Sequence, residues 1–225
     1  MNPVLKRILQ LLALTILQAA VLCLSAWSLT WLEGWLYVGI YLFLLAAASL
    51  VMLPGRVEVV AERSKGGEGG KPWDLLLTRL IAIPSLGMLV VAGLGHHFGW
   101  KPEAGLVAQV LGVVLYILGY MLVIWAMYTN KFFSSVVRIQ KERGHQAITD
   151  GPYRLIRHPG YAGMMISALG SIQLLKSIWA LIAWALYVAM VVTRTALEDK
   201  TLQAELDGYQ EFTAHTRYRL IPGIW

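Results

Sequence analysis

The chain is poor in charged residues and contains almost no cysteine. Of its 225 residues only 14% are charged, whereas 57% are hydrophobic, and the mean hydropathy is +0.60. Soluble domains are about 45–50% apolar and about a quarter charged, so this composition excludes an ordinary water-soluble domain. The one cysteine, Cys23, excludes an internal disulfide and a multi-cysteine zinc site. A glycine fingerprint of the G-x-G-x-x-G type after a strand is also missing, which excludes the nucleotide-binding fold of many soluble enzymes.

What the chain has instead is a series of long apolar segments. A helix needs about 20 mostly apolar residues to cross the hydrocarbon core of a bilayer. Six segments approach this length, at 8–31, 35–53, 75–95, 105–128, 161–175 and 178–193. The sequence therefore predicts an all-α, polytopic membrane helical bundle with about six spans, the first two joined by a tight connection at 32–34. The fifth segment is short, and it is either a tilted span or half of a hairpin that stops inside the membrane.

Lysine and arginine alternate strongly between the connections. Two precede the first span, four lie in 54–74, six lie in 129–159 and four lie in the tail, whereas the other connections hold one or none. Such an excess marks cytoplasmic segments, and it explains the net charge of +6 better than a nucleic-acid partner does. Both termini, the 129–159 connection and the tail are therefore predicted to be cytoplasmic.

The 129–159 connection runs into an unusual motif, "ITDGPYRLIRHPGYAG", at 148–163. Pro159 suits the first turn of a helix, whose N-terminus offers free N–H groups and a partial positive charge. Because Arg157 and His158 stand at the same point, the motif predicts a binding site for an anionic group. Gly160 and Gly163 allow a ligand or another helix to approach the backbone closely, and Tyr153 and Tyr161 supply aromatic surface.

The tail continues the last span as a helix. Five of its residues follow one another at spacings of four, three, four and three and so form one helical stripe: Glu198, Leu202, Glu205, Tyr209 and Phe212. We expect the apolar members to pack on the 129–159 connection, and the final "IPGIW" to fold back onto the interface. Glu198 then offers a carboxylate for a cation beside the anion site. A molecule with a carboxylate, an ammonium and a flat ring would fit, as in an amino-acid–nucleoside cofactor.

With these motifs the chain resembles the isoprenylcysteine carboxyl methyltransferases, integral membrane enzymes that use S-adenosylmethionine; phospholipid N-methyltransferases share the signature. The resemblance is detailed from about Phe133 to Glu198 and covers a segment, "SSVVRIQKERGHQAITDGPYRLIRHPGY", that wraps the cofactor in the family. It implies cofactor contacts at Arg138, His145, Gln146, Ala147, Ile148, Tyr153, His158, Pro159, Gly160, Tyr161 and Glu198. It also implies that Glu198 and Arg194 are catalytic, with Arg194 near the methyl acceptor. The family often has a glutamate at Asp199 and a glutamine at Arg138.

The resemblance predicts methyl transfer from S-adenosylmethionine, with S-adenosylhomocysteine as product and no metal, to the carboxylate of an isoprenylcysteine-like substrate. The substrate is expected to enter from the bilayer. Alternative functions are N- or S-methylation of a lipid amine or small thiol, or a membrane reductase on a similar fold. The chain is predicted to have two regions. Region 1–128 holds transmembrane helices 1 to 4. Region 129–225 is the catalytic region, with the cofactor loop, the last membrane helices and the C-terminal cytoplasmic helix. The membrane is the bacterial inner membrane or the endoplasmic reticulum, depending on the organism.

Simpler interpretations exist for several of these residues. Arg157 and His158 also suit a juxtamembrane basic collar, and Glu198 also suits a solvated ion pair with Arg194, four residues away. The His96-His97 pair has no suitably spaced partner for a metal and is interpreted as part of the membrane interface. Gly112, Gly119 and Ala126 predict a small-residue face on the fourth span that packs against another helix.

Overall fold

The computed structural model describes residues 1–225 as a bundle of eight α-helices. They are α1 (Pro3–Ala26), α2 (Leu32–Gly55), α3 (Val57–Ser64), α4 (Pro72–Phe98), α5 (Leu106–Thr129), α6 (Pro159–Leu174), α7 (Ala180–Glu205) and α8 (Tyr209–His215). Two short 3₁₀ turns, Lys141–Arg143 and Gly151–Arg154, interrupt the connection between α5 and α6. The predicted all-α membrane bundle is confirmed.

Six of the helices carry the chain between the two ends of the bundle. Five of them, α1, α2, α4, α5 and α7, are long and apolar enough to cross a membrane. The sixth, α6, has 16 residues and rises only about 24 Å, against roughly 30 Å of hydrocarbon. Its end nevertheless meets the far connections, because the Ala104 N–H donates to the Lys176 carbonyl (3.2 Å) and Lys176 Nζ lies 2.7 Å from Glu33 Oε1. The turn after α6 therefore completes its passage, and the chain is an integral membrane protein.

The first connection lies earlier in the chain than predicted. Helix α1 ends at Ala26, where Trp27 adopts a left-handed conformation with φ of 47°, and the chain turns through 27–31. Glu33 and Gly34, which were expected to form the connection, belong to the first turn of α2. An acidic residue is favourable there because it faces the positive end of the helix dipole, so its polarity did not mark a turn.

Helices α5 and α6 pack antiparallel at a distance that only glycine allows. A Cβ atom placed on Gly119 would lie 2.4 Å from the Ser167 backbone nitrogen, and one on Gly170 would lie 2.3 Å from that of Tyr116. Gly112 likewise faces the backbone of Leu174, at 2.7 Å. The predicted packing role of the small-residue face on this span is confirmed, and it fixes the position of the N-terminus of α6.

One helix was not predicted from the sequence, and one local prediction is wrong. The 54–74 connection contains α3, whose Val59 is fully buried, although eight residues are too few to give a clear helical period in the sequence. The tail helix stops at Glu205, and Gly208, with φ of 75°, reverses the chain before α8. The predicted single stripe from Glu198 to Phe212 is therefore broken into two helices.

The expected packing of the tail on the α5–α6 connection is confirmed, and the last residues fold back onto the protein. Tyr209 and Phe212, now on α8, pack with Tyr153 of the α5–α6 connection in one buried apolar cluster. The last residues fold back, because the Trp225 carbonyl accepts N–H groups of residues 219–221 and its ring lies 4.9 Å from the Arg219 guanidinium. The tail is thus part of the packed structure.

Basic residues are concentrated at one end of the bundle. Of the 19 lysine and arginine residues, only Lys101 and Lys176 belong to the end formed by the connections at 27–31, 99–105 and 175–179. The opposite end, here called the basic end, holds α3, the α5–α6 connection and the tail. This is the asymmetry expected of a membrane protein with a defined orientation.

Candidate active site

A cavity of about 320 Å³ lies at the basic end, between the α5–α6 connection, the start of α6 and the tail. This volume is within the range of small-molecule sites. The predicted site residues that line it are Arg138, His145, Gln146, Ala147, Ile148, Tyr153, His158, Gly160, Tyr161, Arg194 and Glu198. Pro159 is the exception: it is buried as the first residue of α6 and does not line the cavity. The fold therefore brings the loop motif and the tail helix together, as the sequence predicts.

The side chain that joins these two segments is Asp199, on α7. It is completely buried and accepts two hydrogen bonds from Arg157, at 2.8 and 2.9 Å. Four further groups converge on the same carboxylate: Arg219 Nε at 2.8 Å, Gln203 Nε2 at 2.7 Å, the Tyr209 hydroxyl at 3.1 Å and His158 Nε2 at 3.4 Å. A buried carboxylate needs such compensation, so Asp199 fixes the segment Arg157-His158-Pro159, here called the RHP motif, against the tail.

This network changes the role of Arg157. Its remaining nitrogen donates to the backbone carbonyls of Thr216 and Arg217, at 3.0 and 2.9 Å. All of its guanidinium nitrogens are therefore engaged inside the protein, and the prediction that Arg157 binds an external anion is wrong. It is equally not a simple juxtamembrane charge, because its side chain is only 5% exposed.

The N-terminus of α6 has little free capacity for an anion. The His158 N–H donates to the Arg219 carbonyl, and the N–H groups of Tyr161 and Ala162 donate to the His158 carbonyl. The Gly160 N–H is left as the open donor of the first turn. Gly160 itself lies under the Phe133 ring, 2.8 Å from where a Cβ would stand, so its small size serves protein packing.

Glu198 points into the cavity beside Tyr161. The Tyr161 hydroxyl donates to Glu198 Oε2, and the second carboxylate oxygen has no protein partner. The simpler interpretation of Glu198 as a solvated ion pair with Arg194 is wrong, since Arg194 pairs with Asp74 instead. A half-buried carboxylate with a free oxygen is suited to a positively charged ligand group.

Arg194 is held by a buried aspartate on α4. Its Nε and Nη2 donate to the two carboxylate oxygens of Asp74, at 2.7 and 3.1 Å, and Nη2 also donates to the Ser135 carbonyl. Its guanidinium carbon stands 5.3 Å from the centre of the Tyr161 ring. The two-pronged pairing expected with a substrate carboxylate is therefore already made inside the protein, and only Nη1 is without a protein partner.

The cofactor-loop segment is organised by a buried amide. Gln140 is fully buried and donates from Nε2 to the Phe132 carbonyl at 2.6 Å, while its Oε1 accepts from Arg143 at 2.6 Å. His145 stacks on Phe132 with ring centroids 4.5 Å apart. Burial, together with the charges of Arg143 and Arg138, lowers the pKa of His145 to about 4. The ring is therefore neutral at neutral pH, and its Nδ1 accepts the Gln140 N–H at 3.3 Å.

Arg138 lines the cavity but is also paired. Its Nε and Nη2 contact Glu62 of α3 at 2.9 and 2.7 Å, and Nη2 contacts Glu142 at 2.8 Å. The pair with Glu62 attaches α3 to the α5–α6 connection. Arg138 therefore shapes the wall of the cavity, with less freedom to bind a ligand than the sequence suggested.

Part of the cavity lining is an apolar wall. Residues from the connection and from the tail contribute to it: Ala147, Ile148, Tyr153, Leu202, Leu206, Tyr209 and Phe212. The Tyr153 hydroxyl accepts a hydrogen bond from Asn130 and donates to the Ala126 carbonyl, so its hydrogen bonds are made inside the protein. Such a wall suits a flat apolar group.

The His96-His97 pair lies at the other end of the protein, away from this cavity. His96 stacks on Trp31 with centroids 4.7 Å apart, and His97 lies 4.4 Å from Trp27. These contacts with tryptophans agree with the interpretation of the pair as part of the membrane interface.

Sequence reasoning missed four polar residues of the site. Asp74 and Asp199 are the buried carboxylates that hold Arg194 and Arg157, and Arg63 and Thr78 line the cavity from α3 and α4. The available signal was the position of Asp74 in the first turn of an apolar span, where an unpaired carboxylate is costly. Its partner is 120 residues away and could not be read from local spacing.

Comparison with known proteins finds one family and several relatives. The model of a family described as "Isoprenylcysteine carboxyl methyltransferase (ICMT) family" matches residues 111–204, which include both Arg194 and Glu198. A protein of Oryza sativa subsp. indica described as "Probable protein-S-isoprenylcysteine O-methyltransferase" is 33% identical over 144 residues, covering 63% of this chain and 75% of that protein. "Protein-S-isoprenylcysteine O-methyltransferase A" of Arabidopsis thaliana is 30% identical over 112 residues, 50% of this chain and 49% of that protein. A Schizosaccharomyces pombe protein described as "Protein-S-isoprenylcysteine O-methyltransferase" is 33% identical over 69 residues, 28% and 29% of the two chains.

Proposed function

The chain belongs to the isoprenylcysteine carboxyl methyltransferase family, and from that premise we propose that the cavity at its basic end holds S-adenosylmethionine together with the methyl acceptor. As a member of this family it is a membrane methyltransferase that acts on the carboxyl group of an isoprenylcysteine. The proposed location rests on Glu198, a carboxylate that has a free oxygen and lines a cavity with an apolar wall.

The lining of the cavity fits the separate parts of this cofactor. Glu198 supplies negative charge for a positively charged group, and the Gly160 N–H and the His158 ring stand where a carboxylate can accept a hydrogen bond. The apolar wall between the α5–α6 connection and the tail fits a flat ring. When bound, S-adenosylmethionine supplies a methyl group on a positively charged sulfur, which becomes a neutral thioether once the methyl group has left.

The residues of the chain then have the tasks of binding, orienting and excluding water. The acceptor carboxylate is ionised at neutral pH, since carboxyl groups titrate near pH 4, so no residue has to remove a proton from it. The carboxylate oxygen would take the methyl group directly from the sulfur of the cofactor, so the protein has only to hold the two groups in line. Arg194, held rigidly by Asp74, presents Nη1 to the cavity and orients the acceptor, and Glu198 orients the donor side.

The lipid part of the substrate is proposed to reach the cavity from the bilayer. Three membrane-crossing helices contribute lining residues: Thr78 from α4, Met164 from α6 and Arg194 from α7. A prenyl chain lying between these helices would place its cysteine carboxylate at the level of Arg194. The region 129–225 is accordingly proposed as the catalytic region, with Arg63 and Thr78 added from the 1–128 region.

The basic end is proposed to face the cytoplasm. The excess of lysine and arginine at that end is the basis, since short cytoplasmic segments carry such an excess. Both termini, the cavity and the tail then lie on the cytoplasmic side.

Calorimetry with S-adenosylhomocysteine tests the proposed cofactor site. Glu198→Gln keeps the size of the side chain but removes its charge, and we expect S-adenosylhomocysteine affinity to fall about tenfold or more, because a hydrogen bond to a charged group contributes about 1.5–3 kcal/mol. Glu205→Gln, on the same helix but outside the cavity, is the matched control and should bind normally. Equal affinities for both variants and the wild type would remove Glu198 from the cofactor site.

Cysteine labelling in intact bacterial cells tests the orientation. In a Cys23→Ala background, Lys101→Cys should react with a membrane-impermeant thiol reagent, whereas Asp150→Cys, at the exposed edge of the basic end, should react only after permeabilisation. Labelling of Asp150→Cys from outside intact cells would reverse the proposed orientation.

A further inference from the structure

Only two buried side-chain polar atoms of the protein have no hydrogen-bond partner, and both belong to residues that line the cavity. They are Nε of Arg63, on α3, and Oγ1 of Thr78, on α4. Leaving a buried donor unpaired is costly, so such a group calls for a partner, and a ligand in the cavity can supply one. Arg63 and Thr78 belong to separate helices, so it is the fold that places both of them beside the same cavity.

The positive charge of Arg63 is not compensated by any carboxylate. The adjacent Glu62 pairs with Arg138 and Lys65, and Asp74 is taken by Arg194. The only polar contact of the Arg63 guanidinium is a long bond from Nη1 to the Ser134 carbonyl, at 3.4 Å, and its flat face lies over the Phe133 ring at 5.3 Å.

Its surroundings also disfavour the charged form. Burial lowers the pKa of Arg63, and the nearby positive charges of Arg7 and Arg194 lower it further. An anion bound at this position would relieve both effects. The cavity is therefore polarised, with an apolar wall at the tail and unmatched positive charge beside α3 and α4.

We propose that Arg63 and Thr78, with Nη1 of Arg194, form the subsite for the ionised carboxylate of the methyl acceptor. All three groups are donors, whereas a carboxylate is an acceptor at both oxygens, so the two match without any proton transfer. This inference rests on the proposed function. It assigns the contact with the acceptor carboxylate, which was expected of Arg194, mainly to Arg63. The reason is that Nε and Nη2 of Arg194 are already bound to Asp74.

The residues proposed for this carboxylate come from other elements than those proposed for the cofactor. Arg63, Thr78 and Arg194 come from α3, α4 and α7, and the pair between Arg194 and Asp74 ties α7 to α4 at this point. The open Gly160 N–H and the apolar wall lie with α6, the connection and the tail. A lipid-linked carboxylate arriving from the bilayer therefore meets Arg63 and Thr78.

Competition assays distinguish this assignment from a structural role. The purified wild-type protein should bind an N-acetylated S-prenylcysteine more tightly than the neutral carboxamide of the same compound. In Arg63→Met this preference should disappear and KM for the acceptor should rise about tenfold to a hundredfold, because a charge-assisted hydrogen bond is lost. S-adenosylhomocysteine affinity should remain unchanged, and Arg63→Lys should restore part of the preference.

A second variant and two controls show whether a loss of activity comes from the subsite or from misfolding of the protein. Thr78→Val is nearly isosteric and should raise KM without altering S-adenosylhomocysteine binding, whereas Thr78→Ser should behave like the wild type. Arg79→Met removes an exposed arginine next in sequence and should keep the carboxylate preference.

The outcomes separate the inference from the proposed function. If the wild type methylates prenylcysteine but Arg63→Met and Thr78→Val keep both the preference and the KM, the subsite is wrong and the function stands. If Arg63→Met loses S-adenosylhomocysteine affinity by the same factor as acceptor affinity, the arginine holds the cofactor carboxylate and the inference is overturned. If the wild type methylates no prenylcysteine while binding S-adenosylhomocysteine, the proposed acceptor itself fails.

Discussion

Replacing Asp199 by asparagine is expected to detach the C-terminal tail from the RHP motif. The carboxylate is 0% exposed and Arg157 is 5% exposed, so the pair is shielded from solvent. Arg219, Tyr209 and Gln203 also donate to the same two oxygens. Asparagine offers one acceptor oxygen, and its amide group would face donors that have no other partner.

The magnitude follows from the burial of this network. Removing one partner of a buried ion pair typically costs about 3–5 kcal/mol, because the remaining charge stays buried and uncompensated. For a chain of this size, each kcal/mol lowers the melting temperature by about 2–4 °C, so a decrease of roughly 6–20 °C is expected for Asp199→Asn. S-adenosylhomocysteine binding should weaken at the same time, since the tail forms one wall of the cavity.

Thermal melting in detergent, combined with limited trypsin digestion, measures this effect. Cleavage after Arg217 and Arg219 should become faster in Asp199→Asn at a temperature where the rest of the protein is folded. Asp150→Asn makes the same chemical change in a pair whose side chains are 75% and 72% exposed, and it should melt like the wild type because exposed pairs contribute little. An unchanged melting temperature and an unchanged cleavage rate in Asp199→Asn would refute the role of this network.

Three further predictions follow from the same contacts. Arg194→Lys should lose at least about tenfold in turnover while keeping S-adenosylhomocysteine affinity. The reason is that an ammonium group cannot hold both oxygens of Asp74 and still reach the acceptor. Normal turnover in a steady-state assay would contradict this prediction. Gly119→Ala should destabilise the protein by about 1–3 kcal/mol in denaturant titrations, because the new Cβ would lie 2.4 Å from backbone, whereas Gly39→Ala, with open space around its Cβ, should not. Because the folded protein holds the pKa of His145 at about 4, below the ordinary 6.5, the melting temperature should be constant above pH 6.5 and fall as the pH drops from 6.5 toward 4. His145→Gln should reduce that fall, and an identical pH profile would remove His145 as its source.

The membrane class and the identity of the central segments could be predicted because they depend on local pattern. Apolar length gives the spans, and the spacing of the motif before Pro159 places it at a helix start, as observed. The position of Glu198 in the cavity also follows, because the helix that carries it continues the last span. These features are set by residues close together in sequence.

The pairing inside the site could not be predicted in the same way. Arg157 and Asp199 are 42 residues apart, and Arg194 and Asp74 are 120 apart, so only the fold shows that these charges neutralise each other. The same holds for Arg63, whose importance comes from the absence of a partner. The break at Gly208 was missed because the apolar spacing on both sides continues in phase although the backbone reverses.

The most direct test of the central claim is to determine whether the transferred methyl group is bound in the product as an ester or on an amine. Purified protein is incubated with S-adenosylmethionine carrying a labelled methyl group and with an N-acetylated S-prenylcysteine, and the labelled product is then treated with alkali. A methyl ester releases its label as methanol under these conditions, whereas a methylated amine does not. We predict alkali-labile label that is strongly reduced in Glu198→Gln. Alkali-stable label, or no transfer by a protein that binds S-adenosylhomocysteine, would contradict carboxyl methylation in this cavity.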